Sequence, residues 1–281
     1  MGKRVGGHTF FKRTGVRISL GLLLVIVVLS IFGPMLSPHA YDFIYWDYMS
    51  MPPDMAKQHY FGTDMIGRDL FVRTLMAGRI SLLVALTATL VSLLIGVTYG
   101  LIAGFSGGRT DQIMMRFLDV LFALPFMFIV IVLMVLFKGN IWVLFAAIGA
   151  LIWLDIARIV RGQTILLRQM AYVEAAQAIG QKKARIAVRH VLPNLLGVII
   201  VYATLTIPQV ILIESFLSFL GLGIQEPLTS WGALISEGAA DAEIAPWSLL
   251  FPSLFLIITL LCLNHLGDGL RDYLDPKMRK T

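Results

Sequence analysis

The sequence predicts an all-α integral membrane protein with six transmembrane helices. Of its 281 residues, 58% are hydrophobic and only 14% are charged, whereas soluble domains usually carry about 25% charged residues. A helix needs about 20 mostly apolar residues to cross the hydrocarbon core. Six segments meet that requirement: residues 18–36, 80–104, 117–137, 141–160, 195–217 and 247–266.

The first apolar segment follows a basic start that contains Lys3, Arg4, Lys12, Arg13 and Arg17. A secretory signal has the same order of charges, but its apolar run is shorter and ends in a cleavage site of the Ala-x-Ala type. The sequence SPHAYD lacks such a site. We therefore expect a tail over 1–17 and an uncleaved first transmembrane helix over 18–36.

The distribution of Lys and Arg predicts the orientation. With the N-terminus in the cytoplasm, six spans return the C-terminus there, and most of the 23 Lys and Arg residues fall in cytoplasmic segments, as the positive-inside rule requires. Both termini are then cytoplasmic, and residues 268–281 form the C-terminal tail. The net charge of +6 is explained by this orientation, so we expect contact with membrane lipid and none with nucleic acid.

Residues 37–79 form the first long outer loop, which is rich in tyrosine. Its end, FGTDMIGRDLFVRTLMAGRIS, predicts a short amphipathic helix capped by Thr63 or Asp64. Asp69 and Arg73 have the i,i+4 spacing of an ion pair on that helix. This surface helix leads into the second span.

The second long outer loop covers residues 218–246. Its glycines and Pro227 disfavour one continuous helix. Non-helical backbone near a membrane is tolerated where it is buried in protein or lines a wet cavity. The loop is therefore either a packed connection or a segment beside a translocation path.

The motifs of several enzyme classes are absent from the sequence. It has no G-x-x-x-x-G-K-[ST] segment for a P-loop and no H-E-x-x-H segment for zinc. The five histidines are scattered without ligand spacing, and Cys262 is the single cysteine, which excludes an internal disulfide. We expect a protein that is not an enzyme and holds no metal.

Few ionisable residues lie inside the predicted spans. Asp155 and Arg158 are spaced i,i+3, so each is expected to offset the other's desolvation, and Arg161 is expected to reach the headgroups. Glu214 is the most isolated charge and a candidate functional group. A structural hydrogen bond and exposure at the outer mouth are its alternatives.

The fifth span also carries polar side chains. Together with Glu214 they are candidates to line a translocation path: Thr204, Thr206 and Gln209. A carrier driven by protons would usually need more buried acids and histidines than this chain has, which disfavours that class without excluding it.

One charged segment, YVEAAQAIGQKKARIAVRHVLP over residues 172–193, separates the fourth and fifth spans. Alanine and glutamate favour a helix before Gly180, and the glycine interrupts it. A second short helix is expected over 182–190, ended by Pro193. A cytoplasmic helix–turn–helix of this size either lies on its own protein or docks into a partner.

The residues of this segment resemble the EAA loop of permeases from binding-protein-dependent ABC importers. The family pattern is EAA, three residues, Gly, nine residues, then I-x-L-P. The chain matches every fixed position except the isoleucine, where it has His190; the matching residues are Glu174, Ala175, Ala176, Gly180, Leu192 and Pro193. GGRTDQIMMRFLD, ESFLSFLGLGIQEPLTSWGALI and GDGLRDYLDP resemble the C-type permease of oligopeptide importers.

The resemblance implies a type I ABC importer permease fold in a bacterial inner membrane. Residues 80–267 would form a core of five transmembrane helices, with a coupling loop over 163–193. Such a subunit pairs with a homologous B-type permease, and the two line a path for oligopeptides by alternating access. It binds no cofactor itself, because two separate ABC ATPase subunits hold ATP and Mg²⁺, and an extracytoplasmic peptide-binding protein delivers substrate.

The resemblance also implies roles for single residues of the coupling loop. Ala175 and Ala176 would permit close approach to an ATPase, Gly180 would form the turn, Glu174 would fix the register, and Pro193 would end the element. The alternatives are a C-type permease of a dipeptide, nickel or other peptide-related importer, and an ATP-independent secondary carrier.

Overall fold

The structure is a computed structural model that describes residues 13–137 and 140–274. Most of the expected N-terminal tail 1–17 and the end of the C-terminal tail 268–281 lie outside the described residues. The described part contains ten α-helices and no β-strand, which confirms the all-α fold class. The helices are α1 Thr14–Leu36, α2 Leu70–Ser106, α3 Gly108–Ala123, α4 Phe126–Leu136, α5 Ile141–Arg168, α6 Ala171–Ala178, α7 Lys183–Ile186, α8 Leu192–Phe219, α9 Trp231–Ala240 and α10 Pro246–Leu274.

Five helices of the described chain are long and apolar enough to cross a membrane: α1, α2, α5, α10 and the continuous helix Lys183–Phe219. The pair α3 and α4 gives a sixth span if it is counted as one, with a bend of 72°. The expectation of an uninterrupted helix over 117–137 is therefore wrong. Pro125 disfavours helical backbone at the residue before it, and Leu124 is extended, with φ −75° and ψ 138°.

The prediction of a separate surface helix before the second span is also wrong. Asp69, and neither Thr63 nor Asp64, caps α2, because its carboxylate accepts a hydrogen bond from the Val72 N–H at 2.8 Å. From there the helix runs without a break to Ser106. It is roughly 55 Å long at 1.5 Å per residue, so it links the two ends of the molecule.

The packing of α2 against α5 forms the centre of the bundle. Gly96, Gly100 and Gly104 recur every four residues along α2 and face the backbone of α5. A Cβ atom on Gly100 would lie 2.5 Å from the carbonyl oxygen of Ala157. Small residues in this pattern let two membrane helices approach until their backbones touch.

The two expected outer loops meet at one end of the bundle. The ring of Phe61 stacks on that of Phe251 in α10 with centroids 4.0 Å apart, and the indole N–H of Trp247 donates to the carbonyl of Thr63 at 3.0 Å. Helix α9, capped by the Ser230 hydroxyl, forms inside the second loop. The charged segment lies at the other end of α2, where Phe105 and Lys183 line one pocket.

Candidate functional site

The charged segment folds as the expected helix–turn–helix. Helix α6 ends at Gly180, whose φ is +77°, a conformation that favours glycine. The Gly180 N–H donates to the Gln177 carbonyl at 3.0 Å, and the Gln181 N–H donates to the Ala176 carbonyl at 3.1 Å. This pair of bonds is a Schellman motif, and it sets the direction of the chain into α7.

Only one of the two motif alanines lies on the outer side of α6. Val173 and Ala176 are buried, in one cluster with Ile186 of α7, whereas Ala175 and Glu174 are exposed. Close approach of a partner to Ala175 stays a prediction, and Ala176 packs against its own subunit instead. Residues at i and i+3 share a helix face, so Val173 and Ala176 fix α6 to its own subunit.

Pro193 does not end the second helix. A π-helical turn, Ala187–Val191, joins α7 to α8, and Pro193 lies in the first turn of α8. Proline is tolerated in a first helical turn because its missing N–H is not needed there. His190, in place of the family's isoleucine, has its Nε2 atom 3.3 Å from the Oε1 atom of Gln181.

The arginines of α5 pair with acids of α3. Arg158 lies 2.7 Å from Asp119, which is its direct ion-pair partner. Its charge still opposes the desolvation of Asp155, in line with the expected offset between these two residues. Arg161 makes two hydrogen bonds to Asp111, at 2.5 and 2.6 Å, and its expected reach to the headgroups stays a prediction. Two parallel hydrogen bonds fix the guanidinium of Arg161 against the Asp111 carboxylate, and α3 places its acids within reach of α5.

Asp155 lies in a pocket between α5 and α8. The cavity has a volume of about 240 Å³, and Thr206 and Gln209 lie on its α8 side. Asp155 and Gln209 are exposed on the surface of the subunit, and Thr206 is buried. The structure thus brings two of the four candidate path residues together with Asp155. Thr204 is half-buried, and its hydroxyl donates to the Ile200 carbonyl.

Glu214 is enclosed within the subunit and lies outside this pocket. Its side chain is 0% exposed, and it accepts hydrogen bonds from Ser218 at 2.7 Å and from Ser81 of α2 at 3.2 Å. Ser230, the cap of α9, donates to Ser218 at 3.1 Å. The alternative of a structural hydrogen bond is confirmed, and exposure at the outer mouth is wrong.

Folding brings two of the scattered histidines together in the first outer loop. The Nδ1–H group of His59 donates to the Asp69 carboxylate at 2.7 Å. The ring of His39 stacks on the ring of His59 with centroids 4.0 Å apart and 14° between planes. The lone pairs of two stacked imidazole rings point in parallel directions and do not converge on one point. Each nitrogen of His39 is also within hydrogen-bond distance of another group, Tyr45 or the Lys57 carbonyl. This arrangement favours a packed polar cluster over a metal site. No sequence spacing indicates it.

An ion-pair network joins the two outer loops. Arg68 lies 2.7 Å from Asp64 and 2.5 Å from Glu226, and Arg73 lies 2.9 Å from Glu237 of α9. Arg73 therefore pairs with α9 and not with Asp69 as expected. The hydrogen bond from Arg68 lowers the pKa of Glu226. These long-range pairs have no signature in the local sequence.

Comparison with known proteins finds two matching family models. The model described as "Binding-protein-dependent transport system inner membrane component" matches residues 96–280. The model described as "N-terminal TM domain of oligopeptide transport permease C" matches residues 7–53.

Similar proteins are known from several bacteria. The oligopeptide transport system permease protein OppC of Haemophilus influenzae is 52% identical over 96% of the chain and 87% of its own length. OppC of Escherichia coli K12 is 54% identical over 96% of the chain and 89% of its own length. The dipeptide transport system permease protein DppC of Bacillus subtilis is 45% identical over 93% of the chain and 81% of its own length.

Proposed function

The chain belongs to the inner-membrane components of binding-protein-dependent transport systems, and on that premise we propose that it is the C-type permease subunit of an oligopeptide importer. Family membership confirms the resemblance inferred from the EAA pattern. It also makes the chain a multi-pass membrane permease, in line with its long apolar helices. The oligopeptide substrate is proposed from the relatives named OppC.

The observation that carries the proposal is the geometry of α6 and α7. The inner side of α6 is anchored to the subunit through Val173 and Ala176, while Glu174, Ala175 and Gly180 are left exposed. An element too polar for lipid and too small to fold alone gains from packing against a partner. The proposed partner is one of two ABC ATPase subunits, which hold the ATP and Mg²⁺.

The join between α7 and α8 supports a mechanical role for this element. Lys183–Phe219 is one continuous helix of 37 residues, and it passes from the coupling segment to Thr206 and Gln209. Displacement of α6 and α7 by closing ATPases would therefore move the helix that lines the pocket. ATP binding then biases a two-state bundle between inward-facing and outward-facing states.

The remaining partners follow from the same proposal. A homologous B-type permease would complete the translocation path, and an extracytoplasmic peptide-binding protein would deliver peptide to the outer end. The positive-inside rule places both termini and the coupling segment in the cytoplasm. The outer loops that join through Arg68 and Arg73 then face the delivery protein.

A cysteine cross-linking experiment tests the coupling role. Cys262 is replaced by Ser, and Ala175→Cys is introduced into the complete complex with its ATPases. Because Ala175 is exposed on α6, we expect a cross-link to one ATPase whose yield changes by several fold on addition of ATP. Mass spectrometry of the cross-linked peptides identifies the partner.

Ala176→Cys is the matched control, because Ala176 is only 5% exposed and packs against its own chain. It should give little or no cross-link under the same conditions. Equal cross-linking from both positions would contradict the orientation of α6. Peptide uptake by a complex that contains no ATPase would contradict the proposed class and favour a self-sufficient carrier.

Dipeptide import is the second candidate function, favoured by the 45% identity to DppC of Bacillus subtilis. Delivery proteins set much of the substrate choice in such systems. Uptake measured with a series of peptides of increasing length, in the complex with its own delivery protein, separates the two candidates.

A further inference from the structure

We infer that the pocket between α5 and α8 binds the α-ammonium group of the transported peptide, with Asp155 as its counter-ion. The inference rests on the proposed function and adds a binding site and its ligand chemistry. The pocket opens on the surface of the isolated subunit, since Asp155 and Gln209 are both exposed.

The first observation is that Asp155 has no ion-pair or hydrogen-bond partner among the described residues. Its nearest arginine, Arg158, is bonded to Asp119 at 2.7 Å and stacks on the ring of Phe122 at 4.0 Å. Arg161, one turn along α5, is held by two hydrogen bonds to Asp111. Both arginines are therefore bonded directly to other carboxylates. The charge of Arg158 still acts on Asp155, but the oxygens of the Asp155 carboxylate remain available as acceptors.

The second observation is the set of groups around this carboxylate. The α8 side of the pocket carries Tyr202, Thr206 and Gln209. The Thr206 hydroxyl donates to the Tyr202 carbonyl at 2.7 Å, so its oxygen still presents lone pairs, and the Gln209 amide offers a carbonyl oxygen. A carboxylate, a hydroxyl and a carbonyl are acceptors that suit the three donors of an ammonium group.

The position of the pocket limits what can occupy it. A carboxylate at membrane depth faces a protein partner or a water-filled cavity, because exposure to lipid is unfavourable. An importer of oligopeptides must accept many side chains, and free peptides share only their backbone and their two charged ends. An α-ammonium group is mostly protonated at neutral pH, with an ordinary pKa of about 7.7–8.0. A site that recognises the α-ammonium group would select peptides with a free N-terminus without selecting among their sequences.

Uptake by the complete complex in proteoliposomes tests the site. The substrates are a peptide and its des-amino analogue, which has hydrogen in place of the α-ammonium group, both shown by equilibrium dialysis to be loaded on the delivery protein. We expect the wild type to take up the free-amine peptide about tenfold or more faster than the analogue. Asp155→Asn should reduce that ratio to near one, and Asp155→Glu should retain most of it. One lost charge-assisted contact accounts for a change of that order.

Asp272→Asn is the matched control, because it removes a carboxylate that pairs with Arg13 and not with the arginines beside the pocket, and its preference should equal that of the wild type. A second readout omits the delivery protein. A peptide with a photoreactive first residue should label α5 or α8 in the resting complex, and free-amine peptide should compete better than the analogue in wild type but not in Asp155→Asn.

Four outcomes overturn the inference. An unchanged preference in Asp155→Asn, or no preference in the wild type, excludes ammonium recognition at this pocket. Failure of the Asp155→Asn complex to assemble, while Asp272→Asn assembles, assigns the Asp155 carboxylate to the interface with the second permease. If the wild-type complex takes up neither peptide, the proposed function fails, and the inference fails with it.

Discussion

Two carboxylates on membrane-spanning helices, Glu214 of α8 and Asp155 of α5, lie in opposite environments. Glu214 is 0% exposed and accepts hydrogen bonds from Ser81 and Ser218. Asp155 is exposed on the subunit surface, and the described residues offer it no hydrogen bond or ion pair. One acid is thus satisfied inside the subunit, and the other is directed outward.

The difference separates a structural acid from a functional one. Acids inside membrane spans are candidates for function by default, and both meet that criterion from sequence. The criterion fails for Glu214 because its carboxyl group is already hydrogen-bonded within the subunit. Helices α2 and α8 give it hydroxyl donors, and Ser230 extends the network to α9. It applies to Asp155 because the available cations of α5 are bonded to α3.

The largest effect on stability is expected from Glu214→Ala. It leaves the hydroxyls of Ser81 and Ser218 without their acceptor and opens a cavity, which together should lower the free energy of unfolding by about 2–4 kcal/mol. The measurement is the thermal unfolding midpoint of the assembled complex in nanodiscs. Glu214→Gln keeps the shape and one carbonyl acceptor, so it should lose less than half as much. Equal losses in both variants would show that the negative charge itself is required.

A smaller loss of stability is expected from Ser218→Ala. It removes the shorter of the two hydrogen bonds to Glu214, at 2.7 Å, and the acceptor of the Ser230 hydroxyl. We expect the free energy of unfolding to fall by about 1–2 kcal/mol, the range for one lost hydrogen bond whose partner stays buried. The same thermal measurement checks it. A loss larger than that of Glu214→Ala would mean that the serines, and not the acid, organise the contact between α8 and α9.

The sequence predicts local features of this molecule well and long-range pairings poorly. The positions of the spans, the turn at Gly180 and the exposure of Glu174 follow from apolar run length, glycine conformation and helix propensity. The pairing of Arg158 with Asp119 joins residues 39 apart in sequence, and that of Ser81 with Glu214 joins residues 133 apart. No local pattern encodes such contacts, so the sequence left the role of Glu214 open between function and a structural hydrogen bond and did not single out Asp155.

The close packing of α2 on α5 shows the same limit. Gly96, Gly100 and Gly104 form a small-residue stripe that is visible in the sequence, yet the stripe does not say which helix it faces. Only the structure places the carbonyls of Ala157 and Arg161 against it, within 2.7 Å of where a Cβ atom would lie. The contact fixes the height of α5 in the bundle, and with it the position of Asp155.

The smallest effect on stability is expected from Asp155→Asn. Its side chain is exposed and makes no hydrogen bond or ion pair within the described subunit. The free energy of unfolding, followed by the thermal midpoint, should therefore change by no more than about 0.5 kcal/mol, as for surface substitutions generally. Peptide preference should change strongly in the same variant, and that combination is typical of a residue that contacts substrate. A loss comparable to that of Glu214→Ala would place Asp155 in a bond with the second permease. Glu214 would then be an acid bonded within its own subunit, and Asp155 an acid bonded across the interface between the two permeases.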